Sequence, residues 1–548
     1  MKALIQDYPL TIDRLFDHAA KWHADREVVT RRNNGEIVRS TYGELHARAK
    51  KMSNALIDEG VVAGDRVATM AWNGSRHFET CYGTVGIGAI HHTLNARLFP
   101  EQIVYIINHA EDRMILADPA CAELLADILP QTPCVEKVIF LTDAGGMPDT
   151  GYDASDYESW IADRSEECAW GDFDEHSAAG LCYTSGTTGN PKGVLYGHRS
   201  NYIHAMQTLQ PDALNLAKRD TVLLVVPMYH ANAWGVIYSA PLVGAKLVLP
   251  GQRLDGESLY ELIEQEGVTY SAAVPTVWQM LLDYLQESGN TFTTLERVTV
   301  GGAACPESLI RVFGEQYGVD VIQGWGMTET SPLATLAAPG PELYGKSLDE
   351  QMGFKLKQGR LITNIDLKIV DDEGNRLPND GQTPGKLMIK GPTIASGYYG
   401  MDGDALDAEG FFDTGDVATL TPDGVMQITD RAKDVIKSGG EWISSIDIEN
   451  IAVGHPKAHL AAVIGVTHPK WDERPVLLVE LKPGVEAEPQ EFLDFLEGKI
   501  ARWWMPDAVV FVDEVPLGAT GKIDKKLIRD RLPDYDLPPP AVISGPRE

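Results

Sequence analysis

The sequence predicts an α/β fold with more than one domain, because of its length and its alternating periodicity. Its 548 residues suffice for two to four domains at about 100–200 residues each. A continuously apolar run at residues 221–229 is typical of a strand buried on both faces, and residues 245–250 and 297–302 look similar. Helical patterns at 258–267 and 277–288 lie between them. This alternation favours a large N-terminal domain of parallel sheets flanked by helices.

A change in the pattern of apolar and turn residues near residue 360 predicts a β-rich subdomain. Residues 365–377, 385–391 and 417–429 form short apolar runs that are joined or interrupted by Asp-x-Gly turns. Such turns between short apolar runs are typical of hairpins.

The chain returns to α/β alternation after residues 430–434, with a strand expected at 461–466. We therefore expect a domain boundary there. The predicted N-terminal domain covers residues 1–432 and a small α+β C-terminal domain covers residues 433–535. The proline-rich residues 536–548 are expected to be an extended tail.

The charge balance excludes several classes of protein. Asp and Glu number 79 against 47 Lys and Arg, a formal charge of −32. This acidity argues against a nucleic-acid partner and against attraction to anionic membranes. We find no apolar run long enough to span a bilayer and no Cys-x-x-Cys pair among six cysteines. The sequence therefore predicts no stable membrane insertion, and a reducing cytoplasm as the location.

The strongest local signal is the loop at residues 183–193, Tyr-Thr-Ser-Gly-Thr-Thr-Gly-Asn-Pro-Lys-Gly, which follows an apolar strand-like run at 178–183. Glycine allows a backbone to approach a ligand closely, and hydroxyls and N–H groups in such a loop can surround phosphate oxygens. The loop is not a Walker A motif, because Lys192 is followed by Gly193. The candidate phosphate-binding residues are Thr184, Ser185, Gly186, Thr187, Thr188, Gly189 and Lys192.

Further motifs at residues 324–329, 412–416, 430–444 and 516–523 follow in order. Together with the loop they resemble the adenylate-forming enzymes, a superfamily that includes acyl-CoA synthetases, over nearly the whole chain. The resemblance implies a two-step reaction: a carboxylic acid and ATP give an acyl-adenylate, which CoA converts to a thioester. It also implies Mg²⁺ as cofactor, ATP and CoA as co-substrates, and a homodimer.

The same resemblance implies the nucleotide-binding residues. Trp325 would stack on adenine, Thr328 would contact the α-phosphate region, and Glu329 would hold Mg²⁺ with Thr184 as a second oxygen donor. Asp416 and Arg431 would bind the ribose or phosphate. The remaining expected nucleotide contacts are Gly302, Ala303, Ala304, Gly324, Gly326 and Met327.

The resemblance further implies a mobile C-terminal domain with Lys433 at the hinge and Lys522 as the lysine that acts in adenylation. The loop at residues 436–444 would enter the active site for thioester formation and line the path of the pantetheine arm of CoA. Its candidate CoA contacts are Lys437, Ser438, Gly439 and Trp442.

Residues 227–235 resemble the motif that the family places at its acyl pocket. His230 and Trp234 are the candidate side chains there. The opposite wall would be formed by Gly301, Gly302 and Ala303, with Trp325 and Gly326 beside it. The motifs hold no charged partner for an amino or second carboxyl group. We therefore expect a monocarboxylic acid with a short or medium apolar chain.

The motif combination resembles medium- and long-chain acyl-CoA synthetases and bacterial ligases for 3-methylmercaptopropionate, an intermediate in the breakdown of dimethylsulfoniopropionate. This resemblance leads us to expect that acid as the substrate. A general medium- or long-chain fatty acyl-CoA synthetase is the alternative, because a thioether matches an alkyl chain in size and softness. Trp234 could cap a short pocket or gate a long tunnel. Transfer to a carrier protein and a non-catalytic nucleotide sensor are weaker alternatives.

Overall fold

The computed structural model describes residues 4–184, 190–401, 403, 405–438, 441–518, 521–532 and 535. Its strands are β1 Glu27–Arg31, β2 Ile37–Thr41, β3 Arg66–Met70, β4 Ile90–Thr93, β5 Met114–Ala117, β6 Lys137–Phe140, β7 Ala154–Asp156, β8 Ala178–Tyr183, β9 Gly193–Gly197, β10 Thr221–Leu223, β11 Lys246–Leu249, β12 Tyr270–Ala273, β13 Arg297–Val300, β14 Asp320–Gly326, β15 Leu333–Leu336, β16 Gly359–Leu361, β17 Asp366–Val370, β18 Gly385–Lys390, β19 Phe412–Leu420, β20 Val425–Arg431, β21 Ile436–Ser438, β22 Glu441–Ile443, β23 Ala458–His468, β24 Asp472–Leu481 and β25 Ala508–Val512.

Helices connect these strands on both faces of the sheets. They cover Ile12–Trp22, Tyr42–Asp58, Ser75–Gly86, Pro100–Ala110, Ala122–Ile128, Tyr157–Ile161, His198–Thr208, Val236–Val243, Gly256–Glu266, Pro275–Ser288, Glu307–Arg311, Leu348–Lys355, Ser445–Val453, Pro489–Leu496 and Lys525–Asp530.

Three sheets organise the described part of the chain. A seven-stranded sheet has the order β7-β6-β5-β3-β4-β8-β9, and a 13-stranded sheet has the order β17-β18-β19-β20-β16-β15-β14-β13-β12-β10-β11-β1-β2. The third sheet, β22-β21-β24-β23, is completed by β25, which pairs with β24. The predicted α/β fold, with a large N-terminal part and a smaller C-terminal unit, is thereby confirmed.

The 13-stranded sheet is parallel from β1 and β11 through β14 and antiparallel from β14 onward. The β-rich region that the sequence predicted as a subdomain is this antiparallel part, from β17 to β20. It is not a separate sheet, because β15 and β16 join it to the parallel part.

Local signals explain where the two predicted central helices begin and end. The Asp255 side chain accepts a hydrogen bond from the Ser258 backbone N–H at 2.9 Å, which satisfies a free donor at the start of Gly256–Glu266. Gly267 ends that helix with a φ of 66°, which glycine adopts without a steric penalty. Pro275 occupies the first turn of the next helix, where its missing N–H costs nothing.

One predicted strand is much shorter than expected. The run at residues 221–229 suggested a strand throughout, but β10 ends at Leu223. Beyond Leu223 the carbonyls of Leu224 and Val226 accept hydrogen bonds from the Asn73 side chain, at 2.7 and 2.8 Å. The Leu224 N–H still donates to the Val248 carbonyl of β11 at 2.9 Å, but a side chain replaces the strand partner of these two carbonyls, and the segment stays buried without being a strand.

Two further properties bear on the sequence expectations. Among the described residues no helix is both long enough and apolar enough to cross a membrane. All six cysteines are free thiols, four of them buried.

The helix Pro275–Ser288 offers a test of the core beneath β12 and β13. Trp278 is fully buried and packs edge-on against Phe313 at 5.7 Å between ring centroids. Trp278→Ala should lower the free energy of unfolding by about 3–5 kcal/mol, because it removes a large buried ring and leaves a cavity. Urea denaturation followed by circular dichroism would measure this. Met280→Ala is the matched control, since Met280 is 43% exposed on the same helix; equal losses in the two variants would contradict the assignment.

Candidate active site

Five of the predicted site residues gather where the parallel half of the large sheet meets the antiparallel half: Trp325, Glu329, Asp416, Arg431 and Lys522. β13 ends at Val300 and leads into the turn at residues 301–304, and β14 ends with Trp325 and Gly326 before the chain turns into β15. Ligands of α/β sheets bind outside the carboxyl ends of parallel strands. The junction therefore places these residues where a ligand can reach them.

Asp416 on β19 is the buried carboxylate of the site, with 2% of its surface exposed. The Trp325 indole N–H donates to its Oδ2 at 3.0 Å, and the Arg431 guanidinium lies 2.9 Å from its Oδ1. Asp416 and Arg431 are also direct partners in the β19–β20 ladder. Burial raises the pKa of Asp416, and Arg431, Trp325 and Lys522 act against that rise.

Glu329 lies in a short turn between β14 and β15 and is 6% exposed. The Tyr398 hydroxyl donates to its Oε1 at 2.8 Å. The Tyr196 hydroxyl donates to the neighbouring carbonyl of Thr328 at 2.7 Å, which anchors the same turn. Burial raises the pKa of Glu329 above its ordinary value, and Tyr398, Arg431 and Lys192 only partly offset the loss of solvation.

The two flanks of the glycine-rich loop lie on the antiparallel strands β8 and β9, where Tyr183 pairs with Gly193. The Thr184 N–H donates to the Lys192 carbonyl at 2.9 Å, which closes the base of the loop. The Lys192 ammonium lies 4.6 Å from the centre of the Tyr398 ring. The predicted phosphate ligands Ser185, Gly186, Thr187, Thr188 and Gly189 lie outside the described residues.

Lys522 comes to this site from the C-terminal part of the chain. The Lys522 carbonyl accepts a hydrogen bond from the Gly518 N–H at 2.7 Å, and Leu517 and Ile523 form an antiparallel bridge beside it. The Lys522 Cε lies 3.1 Å from where a Cβ on Gly302 would stand. Burial and the nearby Arg431 lower the pKa of Lys522 to about 8, while Asp416 and Glu329 act in the opposite direction.

His230 directly precedes a turn with a strained backbone, and Trp234 is the last residue of that turn. Residues 231–234 all have positive φ, from 43° to 56°, although none is glycine. A left-handed backbone costs such residues about 1–2 kcal/mol each. The turn holds the Trp234 ring against Gly301, with Cη2 2.9 Å from where a Cβ would stand. Burial and Lys522 lower the pKa of His230 to about 3, so its imidazole is neutral near pH 7.

Asn73 is a residue near the site that sequence reasoning missed. Besides its two bonds to the carbonyls of Leu224 and Val226, its Oδ1 accepts from the Met228 N–H at 2.7 Å. Asn73 follows β3 of the seven-stranded sheet and so joins the two large sheets directly before His230. A single asparagine in a loop carries no sequence signal for such a role, because its partners lie about 150 positions away.

The other expected nucleotide contacts line the same junction. Gly324 is buried, Gly302, Ala304, Gly326 and Met327 are half-buried, and Ala303 is exposed. Gly326 is required by close packing, because a Cβ there would lie 1.9 Å from the Pro332 carbonyl oxygen.

The expected hinge and CoA residues lie apart from this cluster. Lys433 is exposed, two residues after the end of β20. The positive charge of Lys437 helps to lower the pKa of Asp372, which lies in the β17–β18 connection. Ser438 is buried and accepts a hydrogen bond from Arg474, while Trp442 is half-buried on β22. Gly439 lies outside the described residues. The structure thus brings Lys522, and not the Lys437–Ser438 segment, to the junction.

The chain is similar to known proteins over most of its length. Residues 15–399 match the family model of the AMP-binding enzymes, and residues 447–522 match that of the AMP-binding enzyme C-terminal domain. The chain is 48% identical over 530 residues to a medium-chain-fatty-acid–CoA ligase of Ectopseudomonas oleovorans, covering 96% of both chains. It is 46% identical over 531 residues to a 3-methylmercaptopropionyl-CoA ligase of Ruegeria lacuscaerulensis, covering 96% of this chain and 98% of that one.

A solved structure, an anthranilate CoA ligase in complex with anthranoyl-AMP, superimposes with a TM-score of 0.85. The match covers 97% of this chain and 98% of that one at 23% identity, so it bears on the fold alone. The family models and the two relatives carry the assignment further. The chain belongs to the AMP-binding, adenylate-forming enzyme family and is an AMP-forming acyl-CoA ligase.

Proposed function

We propose that this ligase activates a short- or medium-chain monocarboxylic acid in two steps, with 3-methylmercaptopropionate as the best candidate. The observation that carries the catalytic part is the placement of Lys522 beside Gly302, in the field of Asp416 and Glu329. In the first step a carboxylate oxygen attacks the α-phosphorus of ATP and pyrophosphate leaves. In the second step the CoA sulfur attacks the acyl carbon, AMP leaves, and the thiol proton passes to solvent.

The first step needs positioning and charge stabilisation more than acid–base chemistry. A carboxylate is already a nucleophile at neutral pH, so no general base has to act. The Lys522 ammonium offsets negative charge that develops at the phosphate, in a site where burial strengthens each interaction. Thr328, whose backbone is anchored by Tyr196, is proposed to contact the α-phosphate.

The nucleotide is proposed to lie across the junction of the two sheet halves. Trp325 offers a flat face to adenine, and its orientation is set by the bond from its indole N–H to Asp416. Asp416 and Arg431 are proposed to bind the ribose hydroxyls, since a carboxylate accepts and a guanidinium donates. Thr184 and Lys192 stand at the base of the loop that would hold the phosphates.

The donor set at Glu329 suits Mg²⁺. Among the described residues no group of three or more His, Cys, Asp or Glu side chains could hold a metal, but Mg²⁺ in nucleotide sites is held by one or two carboxylates together with phosphate oxygens. Burial raises the pKa of Glu329, and the neighbouring groups only partly offset the solvation that its carboxylate has lost. Glu329 and Thr184 are therefore proposed to hold the ion, which would supply positive charge beside the phosphates.

The acyl group is proposed to lie near the neutral His230 and to extend past Trp234. The side chains beside the turn at residues 231–234 are apolar and closely packed, and the space between them does not admit a water molecule; they are Val222, Leu223, Leu224, Val225, Val226, Ala233, Val236, Tyr270 and Ala272. None of them is charged, so a second charged group on the acid would find no partner here. This favours an alkyl or thioether group over a second charged group.

The C-terminal residues 433–535 are proposed to rotate about Lys433 between the two steps. In the arrangement described here Lys522 lies beside Gly302, while Lys437 lies near enough to Asp372 to help lower the pKa of that carboxyl. We assign this arrangement to adenylation. Rotation would then bring Lys437, Ser438, Gly439 and Trp442 to the site to receive the pantetheine arm of CoA, as hinged domains do in other enzymes.

Two further inferences concern the setting of the enzyme. The six free thiols and the absence of a membrane-crossing helix among the described residues support a reducing cytoplasmic location. A homodimer is proposed from family resemblance. Gel filtration with light scattering would test it, and a monomer at all concentrations would contradict it.

Replacing the lysine should separate the two steps. Lys522→Ala should lower the rate of adenylation, measured as ATP–pyrophosphate exchange, by about 10²–10³-fold, because a charge that stabilises the transition state is lost. Thioester formation from supplied acyl-adenylate should remain within about twofold. Lys526→Ala, an exposed lysine on the neighbouring helix, is the control and should change neither step. Equal loss of both steps in Lys522→Ala would count against two alternating arrangements.

The lowered pKa of Lys522 predicts a pH dependence. Below about pH 8 the amine is protonated and positive, and above that pH it loses the charge that adenylation uses. The kcat/KM for ATP, which reports the free enzyme, should therefore fall as the pH rises through about 8. Lys522→Arg should be slower but should lack this fall, because a guanidinium stays charged. A wild-type profile that is level up to about pH 10, where an ordinary lysine titrates, would refute the assignment.

The acid substrate can be identified by kcat/KM across acetate, butyrate, hexanoate, octanoate, palmitate, benzoate and 3-methylmercaptopropionate. We expect 3-methylmercaptopropionate and butyrate to lead and palmitate to be inert. Trp234→Ala should raise the octanoate-to-butyrate ratio at least about tenfold, since apolar pockets discriminate by roughly 10–200-fold per methylene. Trp22→Ala, 63% exposed, is the control. If the wild type prefers octanoate or palmitate, Trp234 is a gate and the enzyme is a general fatty acyl activator.

A further inference from the structure

Arg474, near the start of β24, is a buried cation that the mechanism above does not use. It is 1% exposed. Its Nε and Nη2 donate to the two carboxylate oxygens of Asp507, at 3.1 and 2.9 Å. Its Nη1 donates to Ser438 Oγ at 3.1 Å and to the Trp503 carbonyl at 2.8 Å, and Nη2 also donates to the Met505 carbonyl at 3.0 Å. A guanidinium has five N–H donors, and all five are used.

The stability of the C-terminal core does not explain this arrangement. Asp507 is 3% exposed, so both charges of the pair are removed from water. A buried ion pair contributes little net stability compared with apolar side chains of similar size, because desolvation offsets the attraction. Unlike an apolar side chain, the guanidinium fixes the orientation of each of its hydrogen-bonding partners. Ser438 is one of these partners.

Apolar packing anchors the β21–β22 hairpin through the buried Ile436 and Ile443, and side chains of β24 add polar contacts to it. β21 has three residues, and a single pair, Ser438 and Asp472, connects it to β24. Glu473, next to Arg474 in the chain, accepts from the Lys437 N–H at 3.0 Å. Consecutive side chains of β24 therefore hold the backbone of Lys437 and the side chain of Ser438.

We propose that Arg474 is a positioning residue for thioester formation: it fixes Ser438, and through it the β21–β22 hairpin, in the geometry that receives the thiol arm of CoA. This inference rests on the proposed entry of that hairpin into the active site for the second step. All the partners of Arg474 lie within residues 433–535. The contacts therefore travel with the domain, and Ser438 keeps its hydrogen bond to Arg474 as it moves to the site.

The test is Arg474→Lys in the full-length enzyme, with the two steps measured separately. Lysine keeps a positive charge near Asp507 but is a point charge that cannot direct five bonds. ATP–pyrophosphate exchange with hexanoate should stay within about twofold of wild type. The kcat/KM for CoA with preformed hexanoyl-adenylate should fall by roughly 10–100-fold, the order of loss caused by a misplacement of about 1 Å. Asp507→Asn, which leaves Ser438 unchanged, should act in the same direction with a smaller loss.

Leu496→Ala is the control for stability alone. Leu496 is fully buried on the helix Pro489–Leu496 of the same domain, so its truncation should lower the melting temperature without changing the ratio of the two steps. If Arg474→Lys and Asp507→Asn lower both steps by one common factor, as a merely structural role demands, the positioning role is overturned. Should Arg474→Lys fail to fold, the ratio in Asp507→Asn decides.

The outcomes separate this inference from the proposed function. A wild-type enzyme that exchanges pyrophosphate but forms no thioester with any acid of the panel overturns the proposed function. A wild-type enzyme that performs both steps, with an unchanged ratio in Arg474→Lys, overturns the role of Arg474 alone.

Discussion

The burial of one carboxylate, Asp416, is the constraint on which the arrangement of the active site depends. Its two oxygens hold the Trp325 indole, from the end of the parallel strands, and the Arg431 guanidinium, from the last strand before the C-terminal sheet. A carboxylate taken out of water needs positive or hydrogen-bonding partners. These partners come from distant parts of the chain. Meeting that need therefore also aligns the ring proposed to stack on adenine with the groups proposed to bind the ribose.

The same constraint extends to the C-terminal part. Burial and Arg431 lower the pKa of Lys522, whereas Asp416 and Glu329 act to raise it. A lysine that arrived without those carboxylates would lose its charge more readily, since burial disfavours the protonated amine. The carboxylates that are proposed to hold the ribose and the metal therefore also keep Lys522 charged.

A rotating C-terminal domain would divide the contacts of the hinge region into two groups. Asp430 accepts from the Ser445 N–H at 2.7 Å and from its hydroxyl at 2.5 Å, and Thr276 donates to the Gly521 carbonyl at 3.3 Å. These contacts join the two parts and would have to break, at about 0.5–1.5 kcal/mol for an ordinary hydrogen bond and about 1.5–3 kcal/mol for one to a charged group. The contacts of Arg474 lie on one side only and would persist, so the domain could move without losing its internal order.

Much of the fold and many elements of the site could be predicted from the sequence alone. The alternation of apolar runs with helical patterns determined the α/β class, and the order of the loop and its companion motifs determined the family and its reaction, because each motif depends on residue types close together in the chain. Tertiary structure alone decided three features. They are the early end of β10, beyond which the backbone bonds to Asn73, the left-handed turn at residues 231–234, and the set of hydrogen bonds made by the Arg474 guanidinium. Asn73 and Leu224 lie 151 positions apart, and the turn contains no glycine to announce it. Such features arise when distant segments satisfy each other's buried polar groups, and the local sequence pattern contains no trace of that pairing.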